Sequence, residues 1–225
     1  MRKPTAWFFA ATMLLAQLAA TASRAQTNPP YIPINPPETV TATDKVEVVE
    51  VFSYGCIHCA QFQQHVDAWR KRLNASKVGF VYLPAPYSPQ YAALARGYYA
   101  AESLGVAEKT HQAVFEAIHL HGAVVRNFDD VVALYRRLGV ASSDFVKAAR
   151  DFYVDKEVRR ANELMTKYKI DSTPTLIVAG KYRITVDTAG GYDAMIKAAD
   201  SLIAQELAQK TSTSRQAPTS VKSGK

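Results

Sequence analysis

The sequence predicts an α/β fold in which a helical segment is inserted between strands. Four short runs have the apolar character of buried strands, namely 45–53, 78–83, 175–179 and 181–186. A helical pattern follows the first run, a longer one fills residues 89–169, and a last one follows the fourth run. The order is therefore β-α-β, a helical insert and β-β-α, and the first connection suits parallel pairing. Without its two ends the chain keeps about 180 residues, enough for one sizeable core.

The first 25 residues have the pattern of a secretory signal peptide and are set apart from the fold. Arg2 and Lys3 precede an apolar run from Ala6 to Ala20, and small residues lead to a cleavage position before Gln26. The run is shorter than the roughly 20 residues that usually span a bilayer. An uncleaved membrane anchor is the alternative, and we expect cleavage and export.

Two segments outside the predicted elements lack the pattern of a packed core. Residues 26–43 are rich in proline, which favours extended backbone, and they predict an arm laid over the domain. Residues 209–225 are rich in Ser, Thr and Lys without apolar periodicity, and they predict a disordered tail.

The first strand and the following helix flank the two cysteines of the chain. Alternation along the strand puts Glu50 on the same face as apolar residues, so we expect it to be buried with a raised pKa. In the helix, one core-facing stripe is expected to contain Cys59, Phe62, Val66, Trp69 and Leu73. Cys56 would lie in the first turn, where free N–H groups and the helix dipole favour a thiolate.

The close spacing of Cys56 and Cys59 favours a redox-active pair. An inert structural disulfide is one alternative in an exported protein, but closing a loop of two residues restricts the unfolded chain very little. A structural zinc site is the second alternative, but no second cysteine pair exists to complete four ligands. We therefore expect redox chemistry and no bound metal.

Turn and capping residues divide the rest of the chain. Breaks in the helical insert are expected at Gly105, Gly122 and Gly139. Asn127 and Ser142 are candidate N-caps within the insert. The third and fourth strands meet tightly around Gly180, and the final helix is expected to end near Leu207.

Two stretches of the chain are specific enough to indicate a family. They are VEVVEVFSYGCIHCAQFQ and STPTLIVAGKY, one on each side of the helical insert. Together with the insert and the leader, they resemble the DsbA family of thiol:disulfide oxidoreductases. The resemblance implies a thioredoxin fold with a central mixed sheet, formed by residues 44–88 and 170–208, and an all-helical domain inserted at 89–169.

The resemblance assigns the reaction to the cysteine pair. Cys56 matches the family's nucleophile, and Cys59 matches its buried resolving partner. A substrate thiolate would attack their disulfide and become bonded to Cys56, and a second substrate thiolate would release Cys56 as a thiolate. His58 matches a histidine that stabilises this thiolate, with an exposed histidine of no electronic role as the alternative. Ile57 replaces the family's usual proline and is expected near the substrate.

Three further positions follow from the same resemblance. Pro174, preceded by Thr173, matches the cis-proline that faces the dithiol, and the Thr173 backbone could pair with an extended substrate. An ordinary trans proline at a strand start is the alternative. Glu50 matches an acidic residue that relays a proton beneath the active site. Val81 stands where some relatives have lysine near this acid, and Gln63 where some have glutamate.

Composition gives no sign of a nucleic-acid partner or a metal centre. The formal charge of +7 includes Arg2, Lys3 and Arg24 of the leader, so the chain after cleavage is only mildly basic, and its Lys and Arg residues are scattered along the helical segments. The other histidines are interpreted as surface or partly packed residues: His65, His111, His119 and His121. Six aromatic residues are expected to build the core of the insert: Tyr98, Tyr99, Phe115, Phe128, Tyr135 and Phe145.

The resulting prediction is a monomeric periplasmic dithiol oxidase of a Gram-negative bacterium. Its substrates would be reduced, unfolded secretory proteins, and its only redox group the Cys56–Cys59 disulfide. A DsbB-like, quinone-linked membrane oxidase would regenerate it. Two alternatives stay open: a periplasmic thiol reductase or isomerase on the same fold, and a non-catalytic binding or chaperone module that retains a stable disulfide.

Overall fold

A mixed sheet forms the centre of the fold. The computed structural model describes residues 28–39 and 44–216, with side chains as far as residue 212, so the signal peptide predicted at 1–25 lies outside the described residues. The strands are β1 (Ile32–Pro33), β2 (Val46–Phe52), β3 (Val78–Pro84), β4 (Thr175–Val178) and β5 (Tyr182–Thr185). Within the described residues they form one sheet in the order β1-β5-β4-β2-β3. β2 and β3 are parallel, and the other neighbours are antiparallel.

The central strand β2 is buried over its whole length. Successive side chains of a strand point to opposite faces, so this burial shows that both faces of the sheet are covered. The predicted alternation placed Glu50 on an apolar face, and Glu50 is fully buried. The opposite face of β2 is equally closed, with Val49 and Val51 at 0% exposure.

The described helices lie between and after the strands. They are α1 (Ile57–Arg70), α2 (Pro89–Ser103), α3 (Ala107–His119), α4 (Phe128–Arg137), α5 (Ser142–Ala149), α6 (Phe152–Lys167), α7 (Val186–Ala189) and α8 (Tyr192–Gln216). Five of them, α2 to α6, separate β3 from β4, which confirms the α/β fold with an inserted helical segment. None of the described helices has both the length and the apolar character needed to cross a membrane.

Helix α2 is the centre of the insert, because it packs against each of the other four helices there, α3 to α6. The predicted breaks Gly105, Gly122 and Gly139 all have positive φ, a conformation that glycine adopts without a steric penalty. Five of the six predicted core aromatics are buried, whereas Phe128 is only partly buried and stacks on Phe145 at 6.3 Å between ring centroids.

Local predictions at helix ends were partly correct. The Asn127 side chain accepts a hydrogen bond from the Asp130 N–H at 3.1 Å and caps α4 as expected. Ser142 is not an N-cap, because Ala141 holds the cap position with extended backbone and Ser142 is the first helical residue. Leu73 lies beyond α1, since the chain turns through i to i−3 hydrogen bonds after Trp69.

The C-terminal region differs from the prediction in two ways. The short helix α7 was not predicted. Helix α8 continues to Gln216, so the disordered tail assigned to residues 209–225 was wrong for residues 209–216, and residues 217–225 lie outside the described residues. The reason is that no glycine or proline occurs between Gly191 and Pro218. In addition, the Lys210 ammonium donates to the Asp44 carbonyl at 2.8 Å and anchors the end of α8.

The described part of the proline-rich arm, residues 28–39, lies along the β5 edge of the sheet. Ile32 pairs with Arg183 in an antiparallel register. Further along, the Glu38 N–H donates to the Gly180 carbonyl at 3.0 Å, and Tyr168 donates to the Glu38 carbonyl at 2.9 Å. Proline lacks a donor, so it is tolerated on such an edge strand.

Candidate active site

The two cysteines lie at the N-terminus of α1, at the end of the loop that leaves β2. Cys56 is the N-cap residue, with extended backbone at φ −93° and ψ 116°, and Cys59 lies in the first turn. Cys56 is partly exposed, whereas Cys59 has no exposed surface. Both are free thiols in this structure. A partner in solution can therefore reach the sulfur of Cys56 and not that of Cys59.

The two thiols differ in acidity. Hydrogen bonding from Cys59, assisted by Thr173 and by the backbone N–H groups of Cys59 and His58, lowers the pKa of Cys56 to about 5 against the opposing effect of burial. Burial is the main cause that raises the pKa of Cys59 well above its usual range, and the hydrogen bond to Cys56 adds to it. Near neutral pH the exposed sulfur is thus the thiolate and the buried one the thiol.

The loop before β4 faces this pair. The Thr173–Pro174 peptide bond is cis, as expected. The Cys56 thiol lies 3.3 Å from the Thr173 carbonyl oxygen, to which it donates when protonated. The Thr175 hydroxyl donates to the Ser172 carbonyl at 2.8 Å and closes the turn around the proline. The structure thus brings together Cys56, Thr173 and Pro174.

The two residues between the cysteines point outward. Ile57 is 47% exposed and presents an apolar side chain beside the sulfur. The His58 side chain is exposed, and its Nδ1 lies 3.4 Å from the hydroxyl of Tyr192. That hydroxyl donates to Gln61 Oε1 at 3.1 Å. His58 hydrogen-bonds to Cys56 through its backbone N–H.

Glu50 lies in the middle of β2 with 0% exposure, and neither carboxyl oxygen has a hydrogen-bond partner within the described residues. Burial is the main cause that raises its pKa to about 8; the Asp67 carboxylate adds to the shift and Arg70 opposes it. The strand register pairs Glu50 with Tyr82, while Val81 pairs with Val49. Glu50 is therefore a buried carboxyl that can exchange a proton near neutral pH.

A buried network of polar side chains, which local sequence patterns did not predict, lies between the helical insert and the sheet. The Tyr54 hydroxyl lies 2.8 Å from His111 Nδ1, and His111 Nε2 lies 3.1 Å from Gln63 Oε1. The Gln63 amide nitrogen in turn donates to the Tyr82 hydroxyl at 3.0 Å and to Asp67. Both amide hydrogens are thus used, so the Gln63 oxygen accepts from His111 Nε2–H, and His111 Nδ1 accepts from Tyr54.

His111 was wrongly interpreted as a surface or partly packed residue. It is 5% exposed, and burial is the main cause that lowers its pKa to about 3, so it is a neutral imidazole. The helical stripe of α3 was the available signal: His111 recurs with Val114, Phe115 and Ile118 at helical spacing. His119 was also missed as a support of the site, since its Nε2 lies 2.8 Å from the Tyr54 carbonyl oxygen.

Aromatic residues border the dithiol. Tyr87 is 41% exposed, and its pKa is raised mainly by burial and further by the charges of Cys59, Asp171 and Cys56. The Tyr192 ring packs on Phe62 at 5.3 Å between centroids. These residues come from separate elements, so no motif in the sequence joins them. Among the described residues, no group of His, Cys, Asp and Glu side chains is arranged to hold a metal ion.

Comparisons with known proteins agree with this geometry. A family model described as Thioredoxin matches residues 42–198. DsbA of Pseudomonas syringae is 33% identical over 88% of this chain and 92% of its own length, and DsbA of Pseudomonas aeruginosa is 34% identical over 79% and 84%. Both are thiol:disulfide interchange proteins.

Solved structures show the same fold. The crystal structure of Pseudomonas aeruginosa DsbA has a TM-score of 0.76 and 33% identity, covering 81% of this chain and 94% of that one. The crystal structure of DsbA from Xylella fastidiosa has a TM-score of 0.74 and 32% identity, covering 79% of this chain and 95% of that one. The Thioredoxin family model, over residues 42–198, spans β2, α1, the helical insert and the loop before β4. The chain belongs to the DsbA family of thiol:disulfide oxidoreductases, with a thioredoxin fold and an inserted helical domain.

Proposed function

We propose that this chain is a dithiol oxidase that transfers the disulfide between Cys56 and Cys59 to reduced, unfolded exported proteins. The observation that carries the proposal is the opposite shift of the two thiols, with the pKa of Cys56 lowered and that of Cys59 raised. A thiolate that is stable at neutral pH is a good leaving group and stabilises the reduced form. Both effects favour donation of the disulfide.

The proposed reaction has two exchange steps. A substrate thiolate attacks the sulfur of Cys56, the bond between Cys56 and Cys59 breaks, and Cys59 leaves and takes up a proton. A second substrate thiolate then attacks the substrate sulfur of the mixed disulfide and displaces Cys56 as a thiolate. The substrate loses two electrons and gains a disulfide, and the Cys56–Cys59 couple receives both electrons.

Residues around the sulfur would position the substrate. The backbone of Thr173 would pair with an extended client segment, and Pro174 beside it contributes no competing N–H donor. Ile57 would contact apolar client side chains, because it is exposed next to Cys56. His58 would stabilise the thiolate through its backbone N–H and, when its side chain turns toward the sulfur, through the imidazole.

Glu50 would exchange the proton that Cys59 gains and loses. Its carboxyl has a pKa of about 8, so both protonation states are accessible near neutral pH. Its oxygens have no hydrogen-bond partner within the described residues, and a water molecule could bridge the carboxyl and the buried sulfur. Neutral glutamic acid would give the proton to the leaving Cys59 thiolate.

The remaining parts of the proposal concern place and partners. The leader predicted at residues 1–25 would direct the chain to the periplasm. There a DsbB-like, quinone-linked membrane oxidase would accept the two electrons and restore the disulfide. The reaction needs no bound cofactor, since the two sulfurs carry the electrons. We expect the protein to act as a monomer.

The decisive experiment combines a potential with a refolding assay. We expect equilibration with glutathione to give a reduction potential above that of thioredoxin, about −270 mV, and the oxidised protein to speed refolding of a reduced, disulfide-requiring client. Cys56→Ser should abolish the acceleration, and Cys59→Ser should accumulate the mixed disulfide with the client.

The alternatives predict other results. A potential as low as that of thioredoxin would indicate a reductase or isomerase. Refolding that is equally fast with the wild type and with Cys56→Ser would indicate a binding or chaperone module whose disulfide is inert.

A further inference from the structure

A cavity of about 290 Å³ adjoins the dithiol on the side of the cis-proline loop. Its lining includes Thr173 and Pro174 of the cis-proline loop, Val186 and Asp187 of α7, and His58 from between the two cysteines. A client bonded to Cys56 would therefore have a neighbouring side chain within reach of this cavity, because an extended chain advances only about 3.3 Å per residue. The cavity is a candidate side-chain subsite.

The position of Asp187 is fixed by the turn that follows β5. The Thr185 hydroxyl oxygen accepts a hydrogen bond from the Thr188 N–H at 3.2 Å, and the Thr188 hydroxyl oxygen accepts one from the Thr185 N–H at 3.0 Å. This reciprocal cap holds the single turn of α7, of which Asp187 is the second residue. The carboxylate is thus presented at the cavity by a constrained backbone.

Asp187 differs from the other carboxylates around the dithiol in having no partner. Asp193 accepts from His65 at 2.9 Å, and Asp171 lies 3.7 Å from an Arg183 guanidinium nitrogen. Within the described residues, Asp187 is exposed and makes no hydrogen bond or ion pair. Its negative charge at the cavity is therefore uncompensated by the chain itself.

The chemistry of the cavity fits a long basic side chain. The walls contributed by Pro174 and Val186 are apolar and can cover the methylene stem of lysine or arginine, while the charged end reaches the Asp187 carboxylate. A glutamate in the same place would meet a like charge. The first-turn position of Asp187 also favours α7 through the helix dipole, which is a purely structural role that the experiment must separate.

We propose that Asp187 makes this oxidase prefer client segments with a lysine or arginine close in sequence to the reacting cysteine. The inference rests on the proposed function and adds a selectivity to it. Because the carboxylate is exposed, the preference is expected to be modest and sensitive to salt.

The test uses three dithiol peptides that differ only in the residue beside the attacking cysteine, which is Lys, Glu or Gln. The second-order rate of oxidation is measured near pH 8, where imidazoles are normally uncharged, in low salt. The neighbouring charge also changes the reactivity of the peptide thiol itself. The Lys-to-Glu rate ratio is therefore compared between proteins, so that this intrinsic effect cancels.

We expect the Lys-to-Glu rate ratio to be about threefold higher for the wild type than for Asp187→Asn. For Asp187→Lys, the ratio should be lower than for Asp187→Asn. Asp187→Glu should retain most of the preference. Asp193→Asn is the matched control, since Asp193 is exposed but does not line the cavity, and it should leave the ratio unchanged. In the wild type, about 0.5 M salt should reduce the preference.

An equal ratio in the wild type and Asp187→Asn would overturn the selectivity, and so would a wild-type ratio that salt does not change. If Asp187→Asn oxidised the Gln peptide as fast as the wild type does, the proposed function would still be upheld. If the wild type failed to oxidise the Gln peptide, the oxidase proposal and the selectivity would both be wrong. A lower stability of Asp187→Asn with an unchanged ratio would assign Asp187 to support of α7 alone.

Discussion

The sulfur of Cys56 lies 3.3 Å from the carbonyl oxygen of Thr173, although 117 positions separate the two residues. Strand pairing explains this approach. β2 and β4 are antiparallel neighbours, with Val51 opposite Thr175, so the end of β2 and the start of β4 lie side by side. The loop that leaves one strand therefore meets the loop that enters the other, and both are available to one substrate segment.

The first prediction concerns the ionisation of Cys56 in the reduced protein. Because hydrogen bonds lower its pKa to about 5, thiolate absorbance should rise with a midpoint near that pH. Cys59 should contribute nothing there, since its pKa is raised. Cys56→Ser is the control and should show no thiolate in this range. A wild-type midpoint near 9.0, the ordinary pKa of a cysteine thiol, would contradict the structure.

The second prediction links this ionisation to stability. The folded pKa of Cys56 is below the unfolded value of 9.0, so the unfolded reduced chain binds more protons between about pH 5 and pH 9. The stabilisation is present above the unfolded pKa and is lost as pH falls toward 5. Urea unfolding of the reduced protein should therefore give a stability that rises with pH in this window relative to reduced Cys56→Ser. Parallel curves for the two proteins would contradict it.

The third prediction concerns Glu50, whose folded pKa is raised from 4.5 to about 8. The folded protein then binds more protons than the unfolded chain between these values, so the contribution of Glu50 to stability is fully present below pH 4.5 and is lost as pH rises through 8. Glu50→Gln cannot ionise and should be more stable than the wild type near pH 9, by an amount on the order of a few kcal/mol. The oxidised protein is used, so that Cys56 does not titrate.

Glu163→Gln is the control for Glu50→Gln, since it removes one carboxylate from an exposed helical site. If the wild type and Glu50→Gln lost stability equally between pH 5 and pH 9, Glu50 would not be the buried acid that the structure describes.

The fourth prediction concerns His111, which is buried between Tyr54 and Gln63. Its folded pKa of about 3 lies below the unfolded value of 6.5, so the unfolded chain binds the extra proton between them and stability falls as pH drops through this window. His111→Leu should lack this contribution. At neutral pH it should cost about 1–3 kcal/mol for each polar partner left without a hydrogen bond. His121→Leu, at an exposed site, is the control, and an equal cost in both variants would be inconsistent with the buried network.

The fifth prediction concerns the arm of residues 28–39. Gly180 has φ +64°, and a Cβ there would overlap the backbone carbonyl of Glu38. Gly139 has φ +86° with open space around the same position, so Gly139→Ala measures the conformational cost alone, about 1 kcal/mol. Gly180→Ala should lose more free energy of unfolding than this control, because the arm must move. Equal losses would show that the arm contributes little.

Sequence periodicity identified most of the local structure and the centre of the site. The strands β2 to β5, the helical insert and the cysteine pair at the start of α1 follow from local patterns: apolar alternation, helical spacing, and glycine at turns. The edge strand β1 was not predicted, since it lies in the proline-rich arm. The burial of Glu50 was also predictable, because alternation places it with apolar neighbours on one face of β2. These features depend on residues close together in the chain.

The predictions were wrong where the local structure depends on contacts between residues far apart in the sequence. Helix α8 extends through the polar residues 209–216 because its backbone has no breaker there and Lys210 reaches the carbonyls of Asp44 and Lys45. His111 was misjudged because its partners, Tyr54 and Gln63, come from other elements. A buried polar side chain is satisfied only when the fold brings donors and acceptors together, and spacing along one helix does not reveal them.

The sequence alone thus predicted the four longer strands, the helical insert and the pair of cysteines proposed to exchange electrons, since these depend on local pattern. Tertiary structure decided the strand order, the approach of Thr173 to Cys56, the separate acidities of the two thiols and the position of the Asp187 carboxylate at the cavity that His58 and Thr173 line. The physical reason is that acidity and recognition depend on burial and on through-space neighbours, and these exist only after the sheet and helices have packed.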